Sequence, residues 1–79
     1  MHLNIISLKG VQFEGEVLSF NLKTTSGEIT VLNNHRPLIT QLTRGSATIV
    51  KEDGNEFNLD INSGFLEVGD KNQATVLVI

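Results

Sequence analysis

The chain has 79 residues, a net charge of −3 and no cysteine, and 39% of it is apolar. That leaves room for one small domain and excludes disulfides, thiolate metal sites and thiol catalysis. With six Lys and Arg against nine Asp and Glu, and neither Trp nor Tyr, it lacks the basic stripe and stacking surface of a nucleic-acid binder. The longest unbroken apolar run, residues 76–79, is far too short to span a bilayer as a helix. No basic, apolar signal segment precedes the first strand pattern, which gives the cytoplasm as the expected location.

Val, Ile and Thr together number 21, against only two Ala, and seven Gly and eight Asn are spread along the chain. Side chains branched at Cβ are stiff against a helical turn and pack well on a pleated sheet, so the composition alone indicates an all-β fold. The first strand reads from His2 to about residue 8, with Leu3 and Ile5 on one face, and Lys9-Gly10 ends it. His2 falls at a terminus expected to fray. Val11 and Phe13 share one parity, whereas Leu18, Phe20 and Leu22 share the other. A period-two pattern changes face only through an inserted residue or a bend, and Gly15 is the expected place.

Thr24-Thr25-Ser26-Gly27 reads as a polar turn, followed by a short strand over residues 28–32 with Ile29 and Val31 alternating. Asn33-Asn34-His35-Arg36-Pro37 reads as a loop, because Asn tolerates left-handed backbone and proline biases Arg36 toward extended geometry. Residues 38–42 have apolar spacing compatible with a helix, but Thr40, Thr43 and the brevity of the run favour a strand or an irregular crossing. Ala47 and Ile49, then Phe57, Leu59 and Ile61, alternate on either side of Glu52-Asp53-Gly54-Asn55. This predicts a hairpin closed by a two-residue Asp-Gly turn. Asn62-Ser63-Gly64 makes the next corner, Leu66 and Val68 mark another strand, and residues 73–79 form the last. Short strands with turn signals every eight to twelve residues suggest a sandwich or barrel. The chain stops while still inside a strand pattern, which suggests the cut edge of a longer protein.

Catalytic motifs are nearly absent. There is no Walker loop, no Gly-rich dinucleotide turn and no Gly-x-Ser-x-Gly elbow. Two histidines are too few for the common zinc sites unless carboxylates complete them, so no metal or cofactor is expected. Ser26, Ser63 and His35 read as turn serines and a loop histidine rather than a triad. Glu14, Glu16 and Glu28 read as solvated or partner-facing charges, with nothing to fix the separation that an acid/base pair needs. The segment 27–42 stands out, since it gathers Glu28, His35, Arg36 and the only proline between apolar strand residues. It reads either as a long connection between sheets or as a protein-binding loop projected from a rigid sandwich.

The run Gly27-Glu28-Ile29-Thr30-Val31-Leu32-Asn33-Asn34-His35-Arg36-Pro37-Leu38-Ile39-Thr40 resembles the signature of the epsilon subunit of F-type ATP synthases. That family carries Gly-Glu, an apolar strand, and a turn with His-x-Pro-Leu and Thr or Ser. Phe13-Glu14-Gly15, Asn62-Ser63-Gly64-Phe65-Leu66-Glu67-Val68 and residues 74–77 resemble further stretches, so the likeness covers essentially the whole chain. Thr30 stands where glycine is common, Asn33-Asn34 replaces Pro-Gly, Arg36 replaces a small residue, and Ser63 replaces a corner glycine.

The resemblance implies a flattened β-sandwich of about ten short strands, forming a single domain over residues 1–79. It also implies a non-catalytic place in the central stalk, the rotor that couples ion flow to ATP synthesis. The implied partners are the gamma subunit and the polar loops of the membrane c-ring, with membrane association only through that complex, on the cytoplasmic face of the inner or cell membrane or its organellar equivalent. Carried over, Glu28, Ile29, Asn33 and His35 are the c-ring candidates, and Ser7 and Thr40 the gamma candidates. The family's C-terminal helical hairpin has no counterpart in these residues. The expectation is an isolated domain or a naturally short subunit that assembles and couples but neither inhibits through those helices nor binds ATP. Two other classes compete: a free-standing β-sandwich module for a peptide or carbohydrate, and a small enzyme using His35 with Glu28. The first is disfavoured by the lack of Trp and Tyr, and the second by the lack of a motif.

Overall fold

The computed structural model describes residues 1–79. It contains eight strands and no helix: β1 (His2–Ser7), β2 (Gly10–Thr24), β3 (Gly27–Leu32), β4 (Leu38–Leu42), β5 (Gly45–Lys51), β6 (Glu56–Ile61), β7 (Gly64–Val68) and β8 (Gln73–Val78). The count is eight rather than about ten. Part of the difference is β2, which runs for 15 residues and serves both layers of the sandwich. Its first half pairs with β1, which continues through β8 and β7 to β4. Its second half lies between β3 and β5, with β6 beyond β5. Only β1 and β8 run parallel.

The change of layer happens at Leu18, not at Gly15. Val17 pairs with Lys51 and Ser19 with Val50, so Leu18 is the extra residue of a bulge. Before it, Phe13, Gly15 and Val17 face inward; after it, Phe20, Leu22 and Thr24 do. One inserted residue thus moves the inward phase from odd to even positions. Gly15 pairs with Leu3 in unbroken ladder. A Cβ at Gly15 would stand 3.7 Å from the tip of the Phe13 ring, an ordinary packing distance. Phe13 in turn stacks on Phe57 of the other layer, with ring centroids 5.6 Å apart.

The core lies between the layers. Leu3, Ile5, Leu42, Leu66, Val68, Ala74 and Val76 come from one side, and Phe20, Leu22, Val31, Ala47, Ile49 and Ile61 from the other. Burying each of the larger side chains is worth roughly 1.5–3 kcal/mol, and their strict alternation fixes the register. The start of β1 does not fray. Met1 is buried, the Val17 amide donates to its carbonyl at 2.8 Å, and the His2 amide donates to the Asn72 carbonyl at 3.1 Å.

The β5–β6 hairpin forms as the alternation predicts, but its loop has three residues. The Gly54 amide donates to the Lys51 carbonyl, and the Lys51 amide to the Asn55 carbonyl, each at 2.9 Å. Gly54 has φ +88°, while Asp53 does not enter the left-handed region. A two-residue primed turn needs positive φ at its first central position or at both; one left-handed residue after an ordinary turn gives the three-residue form. The Asp53 carboxylate accepts from the Asn55 amide at 2.9 Å, which holds its pKa below the ordinary carboxylate value. Residues 38–42 are a full strand, paired along their length with β7.

Candidate functional site

The outward faces of the two layers differ in kind. Across β3, β2, β5 and β6, register aligns Thr30, Asn21, Thr48 and Asn58. These four are joined in pairs: Asn21 Nδ2 donates to Thr30 Oγ1 at 2.8 Å, and Thr48 Oγ1 to Asn58 Oδ1 at 3.0 Å. Such short polar side chains suit a sheet face that stays in water.

The other outward face is organised in rows. Across β4, β7, β8, β1 and β2, register aligns Gln41, Phe65, Leu77, Ile6 and Val11. One step along the strands the row reads Ile39, Glu67, Thr75, Asn4 and Glu14. The next step brings Gln73, His2 and Glu16 together. Ile39 is 74% exposed, Phe65 47%, Leu77 43% and Val11 61%. An apolar band therefore lies beside an acidic one, and these rows contain no Lys or Arg. A contiguous apolar band of this kind on a small domain marks a contact surface.

The sequence-derived candidates fall in separate places. Glu28 and Ile29 begin β3, beside the Thr24–Gly27 turn, where Glu28 pairs across from Lys23. Ile29 turns inward and packs against the core. Asn33 and His35 follow the far end of β3, so about five residue rises, roughly 16 Å, separate Glu28 from Asn33. The structure therefore does not bring His35 and Glu28 together as an acid/base pair would require. Asn33 Oδ1 accepts from Asn72 Nδ2 at 3.4 Å, and His35 Nδ1 lies 2.7 Å from the Arg36 carbonyl. Glu28 by contrast makes no ion pair, those present being confined to Met1, His2, Glu14 and Glu16.

Ser7 ends β1 next to Ile6. Its hydroxyl accepts from the Lys9 amide at 3.1 Å and from Gln12 Nε2 at 2.9 Å, closing the β1–β2 turn. Thr40 lies between Ile39 and Gln41 and pairs with fully buried Leu66, so it shares the inward phase. Both border the apolar band without forming it. Sequence reasoning missed Ile39, Phe65 and Leu77 as surface residues. Their signal was present: each is an apolar residue in the outward phase of a strand whose inward phase is already filled.

A family model described as "ATP synthase, Delta/Epsilon chain, beta-sandwich domain" matches residues 1–79. The chain belongs to this family. Among solved structures, this delta/epsilon sandwich is similar to a chain in the cryo-EM structure of the Euglena gracilis mitochondrial ATP synthase, comprising OSCP, F1 and c-ring, with TM-score 0.90 and 25% identity. It shares its fold, at TM-score 0.82 and 15% identity, with a chain of the Tetrahymena thermophila mitochondrial ATP synthase central stalk and c-ring. The matches cover 96% and 100% of this chain but only 48% and 63% of those chains. The delta/epsilon sandwich thus spans about half the length of one relative and under two thirds of the other.

Proposed function

We propose that the chain is the β-sandwich of a non-catalytic central-stalk subunit of an F-type ATP synthase, linking the gamma subunit to the c-ring and coupling ion translocation to ATP synthesis. It works as a peripheral part of a membrane-bound complex, on the cytoplasmic face of the inner or cell membrane or the organellar equivalent. Family membership supports this role. The observation that carries it is the apolar band of Phe65, Leu77, Ile6 and Val11, with Ile39 beside it, on one face of a sandwich whose other face is a hydrogen-bonded polar ladder.

In this reading gamma lies on the apolar band, with Ser7 and Thr40 at its margins. A few buried anchors supply most of the binding free energy. Glu14, Glu16 and Glu67 beside the band call for basic residues on the partner, which set orientation more than affinity. For the c-ring, the two candidate tips lie at opposite ends of β3, and one flat ring surface meets only one of them. We assign the ring contact to Glu28, whose carboxylate is unpaired, whereas Asn33 Oδ1 and His35 Nδ1 are each engaged within the fold. An exposed contact of this kind is worth about 0–1 kcal/mol.

The test is size-exclusion chromatography with light scattering on this chain mixed with the gamma subunit of the same source. A stable one-to-one complex is expected, lost on Phe65→Asp and retained on Thr48→Ala. Absence of a complex between two folded proteins would overturn the reading.

A further inference from the structure

His2 lies in the outward row with Gln73 and Glu16, and its ring is held between two carboxylates. Nδ1 is 2.8 Å from Glu16 Oε2, and Nε2 is 3.2 Å from Glu14 Oε2. A neutral imidazole has one N–H and one lone pair, whereas an imidazolium has two N–H donors. With an anion at each nitrogen, the neutral ring must turn its lone pair toward a carboxylate; only the charged ring satisfies both. Glu14 and Glu16 are two apart on one strand, so they share a face as like charges. The ring between them is their common counter-charge.

No other titratable side chain enters this arrangement. β2 contributes Glu14 and Glu16, and β8 contributes uncharged Gln73 in register with His2. The Met1 ammonium lies 3.5 Å from Glu16 Oε1, leaving Oε2 to the ring. The hydrogen bonds to Glu16 and then Glu14 raise the pKa of His2 above the ordinary histidine value. The bond from His2 is likewise the main cause that lowers Glu16 below the ordinary glutamate value.

We propose that His2 is a proton-operated clasp, bridging Glu14 and Glu16 as an imidazolium to add a side-chain tie between the start of β1 and β2, and loosening that tie when it loses its proton. Release also leaves Glu14 without a counter-charge, and Glu16 with only the Met1 ammonium, at the acidic end of the apolar face. The clasp stands on its own geometry, whatever partner that face takes. Because the folded-state pKa of His2 is raised, its stabilisation is fully present below the unfolded value of about 6.5 and is lost as pH rises through the folded value. Because that of Glu16 is lowered, its share is present above the unfolded value of roughly 4.3 and is lost as pH falls through the folded value. Stability from the clasp is therefore greatest between these limits and declines on both sides.

Thermal unfolding of the chain and of His2→Gln across pH 5 to 9, with an NMR titration of the His2 ring, tests this. The unmodified chain is expected to melt above His2→Gln near pH 6, with the gap closing as pH rises through the folded value. The ring is expected to titrate above the ordinary histidine value, and to return to it in Glu14→Gln/Glu16→Gln. A melting gap independent of pH, or a His2 ring that titrates at the ordinary value in the unmodified chain, would overturn the clasp. The ring titration decides the matter even where a variant does not fold.

Discussion

The two outward faces of the sandwich are built by the same alternation and filled by opposite rules. On β3, β2, β5 and β6 one outward row holds Thr30, Asn21, Thr48 and Asn58, which bond to one another in pairs, and the next holds Leu32, Ser19 and Val50, with Leu32 a single exposed apolar side chain. On β4, β7, β8 and β1 they hold Ile39, Phe65, Leu77 and Ile6. Both faces are outside the core, so core packing explains neither choice. A solvated sheet face has no use for a row of apolar side chains, since each costs water contact and gains no neighbour across the layer. The second face is therefore built to be covered, its apolar side chains running across four adjacent strands.

The largest loss comes from disturbing the sheet that presents the apolar face. Gly64 opens β7 at φ +156°, and a Cβ placed there would fall on the Leu77 carbonyl oxygen. That obstacle is backbone and cannot swing aside. Gly64→Ala is expected to lower the unfolding free energy by on the order of 3 kcal/mol, read by urea denaturation. A loss below about 0.5 kcal/mol would mean that β7 and β8 separate freely, and the face would then not be a rigid platform.

The next effect falls on binding rather than folding. Phe65→Asp places a charge at the centre of the band, between Gln41 and Leu77. The free chain loses about 1 kcal/mol of cross-strand packing. Affinity for gamma is expected to fall by at least about 2 kcal/mol, roughly thirtyfold, measured by calorimetry. An unchanged affinity would move the docking surface elsewhere. Thr48→Ala is the mirror experiment on the polar face, with about 1 kcal/mol lost from stability and no change in gamma affinity. If it weakened binding as Phe65→Asp does, the two faces would not differ in function.

Much of this architecture was legible in the residues. Alternation located the inward phase of β1, β3, β5, β6 and β7, and the hairpin of β5 and β6 followed from Ala47, Ile49, Phe57 and Leu59; in β2 it also took in Val11 and Leu18, which stand outside the core. Leu18 was not legible as the bulge. It is apolar and in phase with Phe20 and Leu22, and only pairing with β5 shows that it is the residue left over. Gly15 drew the bend because glycine permits one, yet it sits in an unbroken ladder opposite Leu3. The site was half legible. The segment 27–42 announced itself by composition, but the contacts that separate Glu28 from His35 depend on strand length. The apolar band is assembled from four strands, so no local window contains it. His2 was hidden for the same reason, its partners being 12 and 14 residues away.

The smallest expected effect concerns the join between the two faces. The loop from β3 to β4 crosses from the polar layer to the apolar one, and it turns on Asn34 at φ +61°, with the His35 amide donating to the Leu32 carbonyl at 3.2 Å. This is the position at which the family resemblance puts glycine, and the left-handed backbone explains that preference. Asn tolerates the conformation, and the Asn34 amide gains a 2.7 Å bond to Asn72 Oδ1, which ties the loop to the turn before β8. Asn34→Gly keeps that backbone bond and relieves the left-handed strain, while it adds freedom to the unfolded chain. The two terms oppose each other, so a net change within about 0.5 kcal/mol is expected. Asn72→Gly removes the brace itself while accepting the left-handed backbone at that position, φ +54°, and is expected to cost more than Asn34→Gly changes, about 1 kcal/mol, in the same denaturation measurement. The reverse order would mean that the turn at Asn34, rather than its tie to Asn72, holds the two layers in step.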